Sequence, residues 1–164
     1  MKKKSERLAW QRLRDAAGRL DFEPHRIGHQ FDKAGRYVEA FDPEFSLLVR
    51  LFHCRSGEFT AGLNWHEQLE LLLPLDGPVR LQIGDDDVRV NAGDLLVVDN
   101  LRLHSLLDFP GFDTRVIVIS FLPGFVYSLG SPSHDYAFLL PFYAQVERRP
   151  HVLRATDRLA GAAA

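Results

Sequence analysis

The chain predicts a mainly β domain, either a closed barrel or a two-layered jelly roll, with a helix at the N-terminal end and short helices at the C-terminal end. Three observations lead there. Apolar residues alternate with period two from Phe45 onward, and short extended stretches recur about every ten residues with polar turns between them. No helical period intervenes between those stretches, so they do not form βαβ units.

Residues 5–20 read as a helix. Trp10, Leu13, Ala17 and Leu20 form one stripe opposite Arg7, Arg12, Arg14 and Arg19. From Pro24 to Pro43 the periodicity fades, as in a loop or arm. Phe45, Leu47, Val49 and Leu51 then alternate with Ser46, Arg50 and Phe52, a strand with one clearly apolar face. Ser56-Gly57 marks a turn, and Phe59 to Leu73 supplies the next extended stretches. Leu75-Asp76-Gly77-Pro78 reads as a hairpin, because Asp-Gly readily supplies positive φ. Val79 to Ile83, Val88 to Val90, Leu95 to Val98, Leu101 to Leu107 and Arg115 to Phe121 complete the series, with turns at Gly84-Asp85-Asp86-Asp87 and Asn91-Ala92-Gly93-Asp94.

After Pro123 the texture changes. Phe125 to Leu129 and Tyr136 to Tyr143 read as short helices around a Gly-Ser-Pro-Ser turn, too apolar to stand alone, so they pack on the barrel or on another chain. His151 to Arg154 suggests one more strand, and Thr156-Asp157 an N-cap. A helix that begins there and stops at Ala164 suggests the front part of a longer protein. The expected organisation is a helix and arm over 1–44, a barrel over 45–122 and a helical extension over 123–164.

The chain has 164 residues, 46% of them hydrophobic and 26% charged, which is ordinary for a globular protein. No segment approaches the roughly 20 uninterrupted apolar residues of a membrane span. Lys2, Lys3 and Lys4 are followed by more charge rather than by the apolar core of a signal peptide, so no membrane association and a cytoplasmic location are expected. Cys54 is the sole cysteine, which excludes an intrachain disulfide and a cysteine-cluster zinc site. Residues 1–19 hold seven Lys/Arg against two Asp/Glu, so the remainder is acidic and unsuited to gripping a phosphate backbone. Gly-rich phosphate loops and nucleophile elbows are absent, and Ser120 and Cys54 lack partners nearby in sequence. The expectation is a binding domain, not an enzyme.

The residues able to carry chemistry are Asn64-Trp65-His66-Glu67-Gln68-Leu69-Glu70 and, much later, His104. On a regular strand Asn64, His66, Gln68 and Glu70 share one face. Polar groups aimed into a barrel imply a pocket, since unpaired buried polar groups cost several kcal/mol. Apolar walls are expected from Leu81, Ile83 and Val97. Two histidines and a carboxylate form the facial set used for iron, and the same set suits zinc or manganese. Alternatively, His66 and His104 hydrogen-bond within a polar pocket and Glu70 takes a backbone or arginine partner. His53 follows the first strand and is a further pocket candidate, while His25, His29, His134 and His151 sit in loops or near prolines and read as surface residues.

Asn64-x-His66-x-x-x-Glu70-x6-Gly77 resembles the first cupin motif, and Asn91-x-Gly93-Asp94 followed by His104 resembles the second. The implied fold is a cupin, a double-stranded β-helix or jelly-roll barrel. More narrowly, the run from Trp65 through "ELLLPLDGPVRLQIGDDDVRVNAGDLLVVDNLRLHSL", with "YAFLLPFY" after it, resembles the effector-binding domain of arabinose-regulator-type (AraC) transcriptional regulators. That resemblance implies a small-molecule effector in the barrel, a homodimer, and DNA contact only through a helix-turn-helix domain beyond residue 164. Two positions depart from the cupin pattern: Asn64 stands where the first metal-binding histidine is usual, and Asn91 replaces the usual turn proline. The competing expectation is a metal-dependent cupin enzyme, a dioxygenase or isomerase, using His66, Glu70 and His104. A third is a stand-alone sugar-binding or scaffold cupin.

Overall fold

A computed structural model describes residues 2–24, 31–55, 63–99, 102–108, 113–129, 142 and 152–155. Helix α1 (Lys2–Ala17) is followed by strands β1 (Glu23–Pro24), β2 (Leu47–Cys54), β3 (Leu69–Pro74), β4 (Val79–Ile83), β5 (Asp86–Val90), β6 (Leu95–Val98), β7 (His104–Asp108) and β8 (Thr114–Phe121). Helix α2 (Pro123–Leu129) and β9 (Val152–Leu153) come last. Among the described residues the strands form two sheets, one in the order β1-β2-β8-β3-β6-β9 and the other β5-β4-β7. All pairings except β1 with β2 are antiparallel. The result is a mainly β sandwich of two sheets, as the period-two alternation predicts.

One core fills the space between the sheets. It contains Cys54, Leu72, Val79, Leu81, Ile83, Val90, Leu96, Val98, Val116, Val118 and Val152. A second apolar cluster (Leu69, Val97, Phe121 and Phe142) lies on the outer face of the larger sheet, where Phe125 and Val126 of α2 pack. Phe142 meets Phe121 edge-on at 5.4 Å. The remainder of the 136–143 helix and the helix expected from Thr156 lie outside the described residues.

On strand β2 the apolar face is the outer one. Val49, on the clearly apolar face, is 55% exposed, while Arg50 and Phe52 look into the interior. Burial is therefore not what the apolar face of β2 reports. The segment expected as a loose arm is also built in. Asp32 Oδ1 accepts hydrogen bonds from the backbone N–H groups of Ala34 (2.8 Å) and Arg36 (3.0 Å), which fixes a tight turn. The chain then runs beside residues 64–65, with the Tyr37 N–H donating to the Trp65 carbonyl at 2.8 Å and the Arg36 guanidinium stacked over the Trp65 ring. A turn made by side-chain capping leaves no hydrophobic period to read.

Leu75-Asp76-Gly77-Pro78 is a corner rather than a hairpin. β3 belongs to the large sheet and β4 to the small one, and Gly77 is not among the positive-φ glycines. The aspartate serves ion pairing: Arg115 donates to it through Nε (2.7 Å) and Nη2 (2.9 Å), and Arg14 of α1 adds a third contact at 2.9 Å. Helix α1 thus docks through Arg14, Trp10 and the buried Ala17, while Leu13 and Leu20 of the expected stripe stay exposed. Gly93 has φ +87, which favours glycine in that turn, and the Trp10 ring packs against it.

The Arg115 hydrogen bonds, against the opposing effect of burial, hold the Asp76 carboxyl down to about 2 from the ordinary 3.8. A lowered carboxyl pKa stabilises the fold above the unfolded-state value, and that contribution fades as pH falls from about 4 toward 2. Asp76→Asn is expected to cost about 1–2 kcal/mol at pH 7, after allowance for solvent screening. The urea midpoint of wild type should converge on that of the variant in this acid window. Equal midpoints at pH 7 would refute the role.

Candidate functional site

Between the sheets lies a cavity of about 110 Å³. Its polar wall is Tyr37, Glu39, Arg50, Asn64, His66, Glu70, His104 and Ser120, and its apolar wall is Phe52, Leu72, Leu81, Leu106 and Val118. Of the residues singled out from sequence, Asn64, His66, Glu70, Leu81 and His104 meet here. Gln68, Ile83 and Val97 do not line the cavity. Gln68 falls in the bend that precedes β3, which breaks the regular alternation assumed for 64–70. Ile83 faces the interior as expected, but at a level packed solid, with no exposure at all. Val97 points to the other side of its sheet, into the cluster with Leu69 and Phe121, while Leu96 and Val98 face inward. His53 is half-buried and also lies off the cavity. Burial pushes the Cys54 thiol up to about 12, as suits a core residue and not a nucleophile.

Backbone pairing brings the histidines together. Asn64 and His104 exchange both main-chain hydrogen bonds, at 3.0 and 2.9 Å, which closes the barrel at this point. Two residues along from Asn64, His66 reaches the ring of His104, with centroids 4.6 Å apart and planes at 75°. Glu70 comes from the first turn of alternation in β3, paired with Ser120 of β8, whose hydroxyl donates to Glu70 Oε2 at 3.4 Å. One ligand atom from each of His66, Glu70 and His104 lies within 4.8 Å of the other two.

Main-chain carbonyls set the tautomers. His66 Nδ1 lies 2.9 Å from the Gln68 carbonyl and His104 Nδ1 lies 2.8 Å from the Arg102 carbonyl. A carbonyl can only accept, so Nδ1–H donates in each ring and the Nε2 lone pair is left facing inward. Desolvation holds His66 down to about 4, and desolvation followed by the nearby His66 holds His104 below its ordinary value, so both rings are neutral at pH 7. Burial raises the Glu70 carboxyl against the opposing influence of His104 and Ser120. His66 Nε2 is buried without a hydrogen-bond partner and stands 3.6 Å from Glu70 Oε2. A buried nitrogen lone pair without a donor is costly and uncommon. Two neutral imidazoles with free Nε2 lone pairs beside one carboxylate fit a divalent cation, and the paired Nδ1–carbonyl contacts are the outer support such ligands need.

Tyr37, Glu39 and Arg50 escaped the sequence reading. Glu39, on the arm, is gripped by Arg50 through Nε and Nη2, and the Tyr37 hydroxyl donates to Glu39 Oε2 at 3.1 Å. Burial and the adjacent Glu39 push the Tyr37 phenol up to about 12. The signal that could have found Arg50 was its place in β2: a lone charged residue within an alternating apolar strand, the same pattern that exposed His66 and Glu70.

Fold and site define a cupin-like β-sandwich with an internal His–Glu–His group. No protein-family model matches the chain. A curated relative, an uncharacterized HTH-type transcriptional regulator, YdeC, of Bacillus subtilis (strain 168), is 32% identical over 66 residues, which span 40% of this chain and 23% of that protein. The chain therefore matches about a quarter of that relative's length, and the narrower likeness to arabinose-type regulators gains only this loose link. Among solved structures, a cupin protein from Bacteroides fragilis is similar at 16% identity with TM-score 0.46, covering 64% of this chain and 78% of its own. The Fe(II) form of HppE gives 21% and 0.42 over 46% of this chain and 43% of its own, and the polyketide cyclase RemF from Streptomyces resistomycificus gives 19% and 0.42 over 49% and 60%. The expectation of a barrel that is no enzyme does not stand: the interior assembles a His66–Glu70–His104 group that could hold a metal ion, so a non-catalytic role has no support. No helix of the described residues is long and apolar enough to cross a membrane.

Proposed function

We propose that the chain is a metal-dependent cupin that binds and activates a small molecule in the cavity between its sheets. The observation that carries this reading is the orphaned, buried His66 Nε2, aimed at Glu70 and beside the similarly oriented His104. His66, Glu70 and His104 would hold the cation, one of iron, manganese or zinc. When bound, such an ion supplies Lewis acidity to an oxygen-bearing substrate. The protein's part is positional. Three protein ligands leave coordination positions open, Phe52, Leu81 and Leu106 keep one side of the substrate dry, and Tyr37, its hydroxyl committed to Glu39, borders the polar side. The reaction class that fits is the dioxygenase or isomerase chemistry of small substrates.

A second reading, supported by the partial match to the Bacillus regulator, makes the same cavity an effector site in a transcription factor. There the 31–42 arm and α2 would transmit occupancy to a dimer interface and a DNA-reading domain. Such coupling works only to the extent that the ligand binds one arrangement better than another.

The deciding measurement is metal content after loading with Fe(II), Mn(II) or Zn(II) and desalting. Wild type is expected to retain about one ion per chain and His66→Ala close to none, with unchanged far-ultraviolet circular dichroism. A wild-type protein of normal stability that takes up no metal would rule the enzyme out and leave the effector reading.

A further inference from the structure

The cavity has a second charged group besides the metal candidate, and it has no part in holding a cation. Glu39 comes from the arm and Arg50 from β2, and both line the same small space as His66 and Glu70. The Glu39 carboxylate is almost wholly shielded, with its side chain 5% exposed, while the Arg50 side chain keeps 38% of its surface. Glu39 occupies Arg50 Nε and Nη2, which leaves the Nη1 edge of the guanidinium uncommitted to it. The Tyr37 hydroxyl also donates to Glu39 Oε2, the oxygen that accepts from Arg50 Nε, and so helps to hold the carboxylate in place. A buried carboxylate that grips an arginine from one side is a device for aiming the other side.

Charge points the same way. A donor set of two imidazoles and one carboxylate would leave a divalent cation with one positive charge that its ligands do not cancel, while Arg50 is offset by Glu39 and, from β1, feels Glu23 as well. A desolvated net charge is unfavourable until a ligand of opposite sign neutralises it. Size narrows the choice further: about 110 Å³ is well below the ~300–1,000 Å³ of drug-sized sites. Resting on the metal-site reading above, we infer that Arg50, aimed by Glu39 and Tyr37, is the specificity-determining residue for a small monoanionic carboxylic acid. The acid's carboxylate meets Arg50 Nη1, and an oxygen on the adjoining carbon faces the His66–Glu70–His104 group. Its short hydrocarbon part lies against Phe52, Leu81 and Val118.

Calorimetric titration of the Mn(II)-loaded protein with glycolate, lactate and 2-hydroxybutyrate, each against its neutral amide, tests this. At least one acid is expected to bind ~10-fold or more tightly than its amide. Arg50→Gln should erase that preference while Mn(II) stoichiometry stays at wild-type level, and Glu70→Ala should remove the Mn(II) itself. Arg50→Lys keeps a charge beside Glu39, so it folds even if the glutamine variant does not, and it should lose most of the preference because it lacks the fork. Amides that bind as well as acids, or a preference that survives in Arg50→Lys and Arg50→Gln, overturn the inference. Failure of Mn(II) to bind wild type is a different result and sinks the metal reading instead. In that case an acid preference in the metal-free protein that still depends on Arg50 would sustain the carboxylate assignment.

Discussion

Glu70→Gln is expected to abolish the thermal stabilisation that a divalent metal gives, while leaving the metal-free protein as stable as wild type or more so. The two halves of this result have one cause. Glu70 is a carboxylate taken out of water, and without a cation its environment favours the protonated form. Glutamine keeps the shape and can still accept from Ser120 Oγ, so the metal-free fold loses nothing by the exchange and sheds a desolvated acid. With a cation present the balance reverses. Removing an outer hydrogen-bond partner of a metal ligand typically costs ~10–100-fold in affinity, and losing the ligand's own charge costs more. At 100 times the dissociation constant, wild type gains about 2.7 kcal/mol, or a melting-temperature rise of roughly 5–10 °C for a domain of this size. Differential scanning fluorimetry with and without Mn(II) reads both halves. A full rise in the variant would mean that Glu70 is not a ligand.

The second large effect concerns a residue the sequence misplaced by one level. Ile83→Ala is expected to destabilise the protein by about 2–5 kcal/mol, because the side chain is fully enclosed in the inter-sheet core and its neighbours cannot collapse onto the gap. The same strand offers a control. Leu81 is equally buried but borders the cavity, so Leu81→Ala enlarges an existing space and can admit water. Its stability loss should fall at the lower end of that range, with the larger consequence in ligand affinity. Urea unfolding of both variants checks the order. A reversed order would place the cavity at the level of Ile83.

Strand alternation in the sequence was enough to locate strands such as β4 and β8, because Val79, Leu81 and Ile83 of β4 and Val116 and Val118 of β8 are apolar and inward, but it did not divide the strands between two sheets. His66, Glu70 and His104 were legible for the opposite reason: polar groups stand in inward positions where only a pocket can accommodate them. The alternation left the orientation of β2 open: its apolar face lies on the outer surface of the large sheet, where Val49 is exposed, and the inward face holds Arg50 and Phe52. Period alone says that two faces differ, not which one is inside. Tyr37 and Glu39 could not be read at all, since their segment is held by the Asp32 turn and by main-chain bonds to Trp65, neither of which leaves a repeating pattern. Gln68 shows the remaining weakness: a single bend shifts one residue off the face that strict counting assigns to it.

The anchoring of His66 and His104 by carbonyls two residues away has a consequence for how this interior can diversify. Main-chain acceptors are supplied whatever side chain stands at 68 or 102, so exchanges at those positions leave the direction of both imidazoles intact. Insertions or deletions between 66 and 70, or between 102 and 104, would re-aim the rings. Descendants of this barrel can therefore alter the rest of the lining, and with it the preferred guest, while the nitrogen pair keeps its bearing.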